Sequence, residues 1–410
     1  MLQSLDIMML NINDFISQFI TKRETSLFLH DIMQNHALLE KEIKDRRVLV
    51  IGGAGSIGSS FIKAVLPFQP AQLVVVDLSE NGLVELTRDL RSSYQMFVPE
   101  DYRTYTLDFH HPIFESIFRE NGGFDIVANF SAHKHVRSEK DRYSVEALIE
   151  NNLLKAKWLL DLLREFPPRH FFCVSTDKAA NPVNIMGASK RIMEDLIMAY
   201  SDLYPVTTAR FANVAFSNGS LLDGWLQRLM KRQPLAAPSD VRRFFVSPEE
   251  SGQICMLACM LGRSGEVFFP KLDESQMKTF SGICDDFVRQ LGYEPELFDN
   301  DEEARAFSAQ MAPDGKRYPV VYSKSDTTGE KSFEEFYVEG EQTDMDRFDA
   351  LGVIGRSHRR SMEEVTSFLH SLEDIFKQPD FTKVEVVEAM ERFLPNFIHE
   401  EKGKYLDQKM

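Results

Sequence analysis

Short apolar runs alternate along the central part of the chain with longer segments in which apolar residues recur every three or four positions. Runs of about five apolar residues are typical of strands buried on both faces, and the longer segments are typical of amphipathic helices. The six predicted strands cover residues 47–51, 73–77, 102–108, 125–130, 170–174 and 205–211. Strands that alternate with helices in this order predict an α/β fold with a doubly wound parallel sheet.

A glycine-rich segment follows the first predicted strand and opens a helix. Its glycines permit a tight turn and let backbone amides approach a pyrophosphate at the helix N-terminus. Asp77 ends the second strand roughly 20 residues after Gly58, the spacing at which a carboxylate binds the adenosine ribose. Such a carboxylate repels a 2′-phosphate, so a Rossmann-type sheet that binds NAD rather than NADP is predicted; a glycine-rich turn with an unrelated aspartate is the alternative. The predicted cofactor contacts here are Gly52, Gly55, Ser56, Ile57, Gly58, Asp77 and Asp108.

A polar segment follows the fifth predicted strand, with Thr176, Asp177 and Lys178 directly after it. Met186 and Lys190 follow on the next predicted helix, four positions apart and therefore on one face. Ligands bind at the carboxyl ends of strands in open α/β sheets, so this segment predicts a site with an acid and two amines. A solvated surface loop is the competing interpretation of Asp177 and Lys178.

Further polar residues are candidates for binding a substrate. Lys134 and His135 follow the fourth predicted strand, and Asn213 follows the sixth. Arg243 belongs to an Arg-Arg pair beside a short strand, and guanidinium geometry suits bidentate phosphate recognition. Each of these residues is also compatible with an ordinary structural or surface role.

The patterns divide the chain into four regions. Residues 1–45 form a helical N-terminal extension and residues 46–212 the dinucleotide-binding domain. Residues 213–340 are expected to bind the substrate and return to the sheet, and residues 341–410 to form a helical C-terminal extension.

Composition excludes several classes of protein. The chain has 410 residues and a net charge of −16 without a basic stripe, which argues against a nucleic-acid partner. Its four cysteines lack metal-binding spacing and are expected to be core thiols in a reducing cytoplasm, with no metal site. No apolar run reaches about 18 residues, so no membrane span is expected.

Several of these segments resemble one family. Together they are similar to the extended short-chain dehydrogenases/reductases, and more narrowly to the nucleotide-sugar 4,6-dehydratases of bacterial polysaccharide and nonulosonate-sugar synthesis. Ordinary epimerases of that superfamily carry a tyrosine where this chain has Met186, and one branch of the dehydratases has the same replacement. The N-terminal extension and the C-terminal LDQKM resemble soluble members of legionaminic-type pathways. The resemblance covers residues 46–340 and rests on VIGGAGSIG, VVVDLSE, AHKHV, STDKAANPVNIMGASKR, RFANVAFSNGS, RRFFVSPEES and TTGEKSFEE.

The resemblance implies a reaction and roles. The sugar is oxidised at C4, water is eliminated across C5 and C6, and hydride returns to C6, with UDP-N-acetylglucosamine as the expected substrate. Lys178 is the expected C5 base and Asp177 the acid at O6, while Thr176 faces the sugar. Lys190 is expected to hold the nicotinamide ribose. Asn213 and Arg243 match positions that bind the substrate, and Met186 cannot act on a proton.

Two alternatives remain beside the dehydratase. One is a nucleotide-sugar 4-epimerase or 4-reductase, and the other is an inactive dinucleotide-binding sensor or scaffold. The resemblance also implies a homodimer or larger homo-oligomer, built on the predicted helices 146–163 and 184–200, which carry apolar residues beyond one stripe.

Overall fold

A computed structural model of the chain describes residues 10–135, 139–312, 314–325, 333–355 and 360–399. The LDQKM segment and most of TTGEKSFEE lie outside the described residues.

A central sheet of nine strands organises the structure, with the order β3-β2-β1-β4-β5-β6-β11-β16-β15. All neighbours from β3 to β11 pair in parallel, and β16 and β15 close one edge in antiparallel pairing. The strands are β1 (Arg47–Ile51), β2 (Gln72–Asp77), β3 (Asp101–Thr106), β4 (Ile126–Asn129), β5 (His170–Val174), β6 (Val206–Ala209), β7 (Asn213–Val214), β8 (Leu235–Pro238), β9 (Arg242–Arg243), β10 (Phe245–Val246), β11 (Glu266–Pro270), β12 (Lys278–Thr279), β13 (Glu294–Phe298), β14 (Arg317–Ser323), β15 (Thr343–Asp344) and β16 (Leu351–Ile354). This arrangement confirms the predicted doubly wound fold.

Helices cover both faces of the sheet, which is why the side chains of β1, β2 and β4 are almost entirely buried. The helices are α1 (Ile12–Phe15), α2 (Leu29–Gln34), α3 (His36–Ile43), α4 (Ser56–Val65), α5 (Glu80–Ser92), α6 (Pro112–Glu120), α7 (Arg142–Ile149), α8 (Lys155–Glu165), α9 (Ile185–Ala199), α10 (Leu221–Met230), α11 (Pro248–Leu261), α12 (Phe280–Gln290), α13 (Asp301–Ala309), α14 (Met362–Phe376) and α15 (Lys383–Phe393). The helix predicted at 146–163 is divided by a π-helical turn, Glu150–Leu154, between α7 and α8. No helix within the described ranges is long and apolar enough to cross a membrane.

A smaller hydrophobic cluster lies beside the sheet, around a three-stranded parallel unit of β13, β14 and β8. Phe15 from the N-terminal region packs there against Phe287, with ring centroids 5.6 Å apart. Arg23 also reaches the main body, where it forms two 2.7 Å hydrogen bonds with the buried Glu250. The N-terminal extension is therefore packed onto the rest of the protein.

The apolar residues that suggested a dimer interface are packed within one chain. Leu159, Leu162, Ile192, Leu196 and Ile197 are all buried, and helix α14 packs against α9. Their apolar character is explained by this internal packing, so the homodimer stays a prediction that rests on the resemblance.

Candidate active site

The candidate site lies where the carboxyl ends of four neighbouring strands, β1, β4, β5 and β6, meet at one edge of the sheet. The strand order reverses between β1 and β4, because the chain runs outward from β1 through β2 to β3 and then returns to β4. Such a switch point leaves a crevice between the loops on either side, and ligands bind there.

The glycine loop after β1 is closely packed against the loop after β4. Gly52 has φ +73°, and a Cβ there would come within 2.7 Å of the backbone nitrogen of Ser131. A Cβ on Gly58 would overlap the carbonyl oxygen of Gly52. Gly55 precedes α4, which starts at Ser56. The loop therefore requires residues without side chains, and its backbone can approach a pyrophosphate at the α4 N-terminus.

Asp77 lies directly behind this loop. Its Oδ2 accepts a 3.0 Å hydrogen bond from the amide of Ala54, and its Oδ1 accepts one of 2.9 Å from Ser79. The carboxylate is therefore held in a fixed orientation at the end of β2, as a ribose-binding group requires.

Asp108 is joined to helix α8 by an ion pair, with Lys155 Nζ 2.5 Å from its Oδ2. Partial burial acts to raise the pKa of Asp108, but the hydrogen bonds from Lys155 and from the His110 amide outweigh it and lower the pKa. Asp108 therefore stays charged just after the end of β3, at a position predicted to contact the cofactor.

Thr176, Asp177 and Lys178 form a compact turn after β5. Asp177 Oδ1 accepts hydrogen bonds from Thr176 Oγ1 (2.8 Å), the Lys178 amide (2.9 Å) and Lys178 Nζ (3.1 Å). Asp177 is buried, whereas 21% of the Lys178 side chain is exposed. The acid and the amine are therefore in direct contact, which a solvated loop would not require.

Helix α9 starts against this turn. A Cβ on Gly187 would lie 2.8 Å from the carbonyl oxygen of Lys178, so the glycine permits the close approach. Met186 and Lys190 are both buried on this helix. Burial lowers the pKa of Lys190, because desolvation disfavours its charged form.

Lys134 and His135 lie against the loop that precedes α10. Lys134 Nζ donates a 3.1 Å hydrogen bond to the carbonyl oxygen of Asn218, and burial lowers the lysine pKa. A Cβ on Gly219 would lie 3.2 Å from His135 Nε2. The amide of Asn218 donates in turn to Ser56 Oγ at 2.8 Å, so this loop also contacts the start of α4.

Asn213 and Arg243 lie close together through the short strands β7, β9 and β10. The amide of Asn213 donates to the carbonyl oxygen of Phe244 at 3.2 Å. Asn213 Nδ2 is buried and has no hydrogen-bond acceptor in the part of the chain that the structure describes. An unsatisfied buried donor costs roughly 1–3 kcal/mol, which a ligand acceptor would relieve.

Three features of the site were not found from the sequence. Glu334 is buried, with its Oε1 3.9 Å from Lys178 Nζ and 3.8 Å from Arg243 Nη2. Asn152, in the π-helical turn, joins the loop after β4 to helix α9, because its amide contacts both the His133 backbone and Ser189 Oγ. The position of Asn152 within a predicted helix follows from the sequence, but the contacts of its π-helical turn do not.

The third feature is a buried ion network directly behind the acid–amine turn. Arg210, after β6, forms hydrogen bonds of 2.7–2.9 Å with Glu194 on α9 and of 2.9 Å with Glu341. Ser175 Oγ, one residue before Thr176, donates to Glu194 at 2.6 Å. Through Ser175, the network therefore fixes the position of the carboxyl end of β5.

All four cysteines are buried, as expected of core thiols. Cys173 lies near Lys190, and burial raises the pKa of its thiol to about 11. It is therefore a neutral thiol that packs under the site.

Comparisons with known proteins agree with this geometry. Residues 48–354 match the family described as polysaccharide biosynthesis protein. An uncharacterized membrane protein of Methanocaldococcus jannaschii is 29% identical over 319 residues, covering 76% of this chain and 86% of the relative. The capsular polysaccharide biosynthesis protein CapD of Staphylococcus aureus is 25% identical over 73% of this chain, but only 49% of CapD is covered, so the chain spans about half the length of this relative.

Two further kinds of enzyme are among the similar proteins. A UDP-N-acetylglucosamine 4,6-dehydratase (inverting) of Campylobacter jejuni is 25% identical over 55% of this chain and 67% of its own length. A UDP-glucose 4-epimerase of Rickettsia prowazekii is 27% identical over 58% of this chain and 69% of its own length.

The fold is also shared with a solved structure, that of Pen from Bacillus thuringiensis. The TM-score is 0.62 at 19% identity, with 81% of this chain and 98% of that chain covered. The family match extends from β1 to β16 and includes every element that positions the site. The chain belongs to the polysaccharide biosynthesis protein family, and its fold is that of the extended short-chain dehydrogenases/reductases.

Proposed function

We propose that this protein is an NAD-dependent nucleotide-sugar 4,6-dehydratase that acts on a UDP-N-acetylhexosamine, most simply UDP-N-acetylglucosamine. The observation that carries the proposal is the direct contact between Asp177 and Lys178 beside the dinucleotide-type crevice. Elimination of water needs an acid and a base on one sugar, and this pair supplies both. The similar Campylobacter dehydratase supports the choice of substrate.

The crevice fits a dinucleotide. The loop of Gly52, Gly55 and Gly58 has no side chains that would exclude a pyrophosphate, and Asp77 is oriented for a ribose. Lys190 would lie at the nicotinamide end, one helical turn beyond Met186. When bound, the nicotinamide accepts hydride from the sugar and returns it, which is chemistry that no side chain supplies.

The acid–base cycle follows from the contact of the two side chains. In the form that starts the elimination, Lys178 is a neutral amine and Asp177 a carboxylic acid, which differ from the ion pair by one proton passed across their 3.1 Å contact. Lys178 then takes the C5 proton, and Asp177 gives its proton to the departing C6 hydroxyl, which leaves as water. The pair is thereby returned to its original charged state. The proton that the C4 hydroxyl releases on oxidation balances the proton that C5 takes up when hydride returns to C6, so the whole cycle consumes no external acid or base.

We expect the substrate to be held by further polar groups near this pair. Arg243 offers a guanidinium for the diphosphate, and Asn213 Nδ2 is a buried donor that has no acceptor among the described residues. Lys134 lies against the loop whose Asn218 contacts the start of α4, and there it can contact a phosphate or a sugar hydroxyl.

The test is incubation with UDP- and GDP-N-acetylglucosamine in deuterated water, followed by mass and NMR analysis. We expect a UDP-linked product that has lost one water and carries deuterium. Lys178→Ala should abolish both C5 exchange and product, and Asp177→Asn should stop water loss. Met186→Ala should retain measurable turnover, because a thioether has no proton to transfer. Wild-type turnover by Lys178→Ala would exclude this mechanism.

The 4-epimerase remains the second candidate because an epimerase is also among the similar proteins. An epimerase product has the mass of the substrate, so the same mass measurement separates the two reactions. A protein that binds NAD but converts no nucleotide sugar would favour the sensor or scaffold.

The homodimer is proposed on the family resemblance. Light scattering of the full chain at micromolar concentration tests it, and a monomer at all concentrations would contradict it.

A further inference from the structure

Glu334 occupies a position that the proposed chemistry does not yet use. It is only 5% exposed, and its Oε1 lies at similar distances from Lys178 Nζ (3.9 Å) and Arg243 Nη2 (3.8 Å). These two cations come from different elements, the turn after β5 and strand β9. One buried carboxylate thus stands between the base and the guanidinium assigned to the diphosphate.

The position of Glu334 is imposed by the fold. Two residues further along, the carbonyl oxygen of Phe336 accepts a 3.0 Å hydrogen bond from Arg210 Nη1. The ring of Phe336 packs against Phe244, the residue after Arg243, with centroids 5.4 Å apart. Glu341 is bound to Arg210 as well. The segment that carries Glu334 is therefore fixed at both the ion network and β9.

The charges around Lys178 explain what the carboxylate does. Lys178 faces Asp177 on its own turn and Glu334 on the neighbouring segment, and Arg243 approaches the same carboxylate from β9. A carboxylate near an ammonium stabilises the charged form of the amine, and a carboxylate near a guanidinium competes with a phosphate for it.

We propose that Glu334 is a positioning residue that couples nucleotide binding to the acid–base pair by acting as a counter-ion shared between Arg243 and Lys178. A diphosphate on Arg243 takes over the charge of that guanidinium, so the attraction between Glu334 and Lys178 becomes stronger. The amine is then held beside Asp177 while the nucleotide is bound. The inference rests on the proposed function for the part that concerns turnover.

The test compares Glu334→Gln with the matched control Glu335→Gln, since Glu335 is adjacent and exposed. UDP is titrated calorimetrically into each protein, and kcat and KM are measured from pH 5 to pH 9. In Glu334→Gln we expect UDP to bind several-fold more tightly, because competition for Arg243 is removed. We expect the plateau of kcat to fall on the order of 10- to 100-fold, as for a misplaced catalytic group.

The pH profile provides the readout that a purely structural role would not change. The acidic limb of kcat should move to lower pH in Glu334→Gln, because the Lys178 ammonium loses one of its two carboxylates. Glu334→Asp keeps the negative charge, so its acidic limb of kcat and its UDP affinity should match those of the wild type. This variant is also compared with the wild type if Glu334→Gln does not fold. Glu335→Gln should match the wild type throughout.

Weaker or unchanged UDP binding in Glu334→Gln, or an acidic limb that stays in place, would overturn the proposal. The UDP titration needs no turnover. It therefore tests the coupling of Glu334 to Arg243 independently of catalysis. If no nucleotide sugar is dehydrated, the proposed function is refuted, but the result of the UDP titration still stands.

Discussion

Arg210 and Glu194 form a two-point ion pair in the interior of the protein, with Nε 2.9 Å from Oε1 and Nη2 2.7 Å from Oε2. Both side chains are buried, and Ser175 joins the pair to the turn that carries Asp177. Removing Glu194 leaves the buried Arg210 with Glu341 as its remaining carboxylate partner among the described residues. A buried positive charge then loses part of its compensation, which costs more than the loss of an exposed pair.

Glu194→Gln should therefore lower the free energy of unfolding by roughly 3–5 kcal/mol. Glu165→Gln is the matched control, since Glu165 forms an exposed ion pair with Arg119 and its loss should change stability little. Urea unfolding at pH 7 measures both. Equal effects of the two substitutions on the free energy of unfolding would show that the buried pair contributes no more to stability than the exposed one.

The same residue predicts a dependence of stability on pH. Burial acts to raise the pKa of Glu194, but the charge of Arg210 and its hydrogen bonds outweigh burial and place the pKa below the ordinary 4.5. Its stabilising contribution is therefore complete above that value and is lost as the pH falls through the lowered pKa. Between pH 6 and pH 3, stability should decline less steeply in Glu194→Gln than in the wild type, as measured by urea unfolding at each pH.

The glycine loop gives a third prediction. In Gly58→Ala the new methyl group overlaps the carbonyl oxygen of Gly52, so NAD binding should be lost and stability should fall by roughly 1–3 kcal/mol. Gly224→Ala on α10 is the control, because among the described residues no atom beyond the adjoining backbone lies within 4 Å of its added Cβ. That substitution should be neutral or stabilise by up to about 1 kcal/mol. Fluorescence titration with NADH and thermal unfolding measure the two effects.

Asp77 is expected to select the cofactor. Asp77→Ala should weaken NAD binding and reduce the difference between the affinities for NAD and NADP. The carboxylate accepts hydrogen bonds from the ribose of NAD, and its negative charge repels the 2′-phosphate of NADP. Asp77→Asn separates the two roles, since its amide oxygen can still accept the hydrogen bond from Ala54. Purification of the wild-type protein with NADP bound would contradict this assignment.

Local patterns were sufficient to predict the six parallel strands β1 to β6 of the central sheet, the glycine loop and the polar turn after β5. Each of these depends on neighbouring residues: apolar runs for buried strands, missing side chains for the loop, and polarity at a strand end. The residues whose importance depends on distant partners were not predictable in this way. In the sequence, Glu334 cannot be distinguished from a surface glutamate, because its contacts with Lys178 and Arg243 arise only in the folded chain. Glu341 is likewise identified only by its contact with Arg210. The π-helical turn at Asn152 also does not interrupt the spacing of apolar residues along the predicted helix, so it could not be predicted from that spacing.

The closing strands of the sheet have a consequence for how the chain folds as it is synthesised. Strand β16 pairs with β11 and is made only after the whole β13–β14 region. Until it emerges, one edge of β11 has unpaired backbone groups, and an open edge of a buried strand invites wrong pairing. Arg210 likewise lacks the carboxylate of Glu341 during that interval. The sheet that binds the dinucleotide is therefore completed late in translation, when the ion pair and the last strand arrive together.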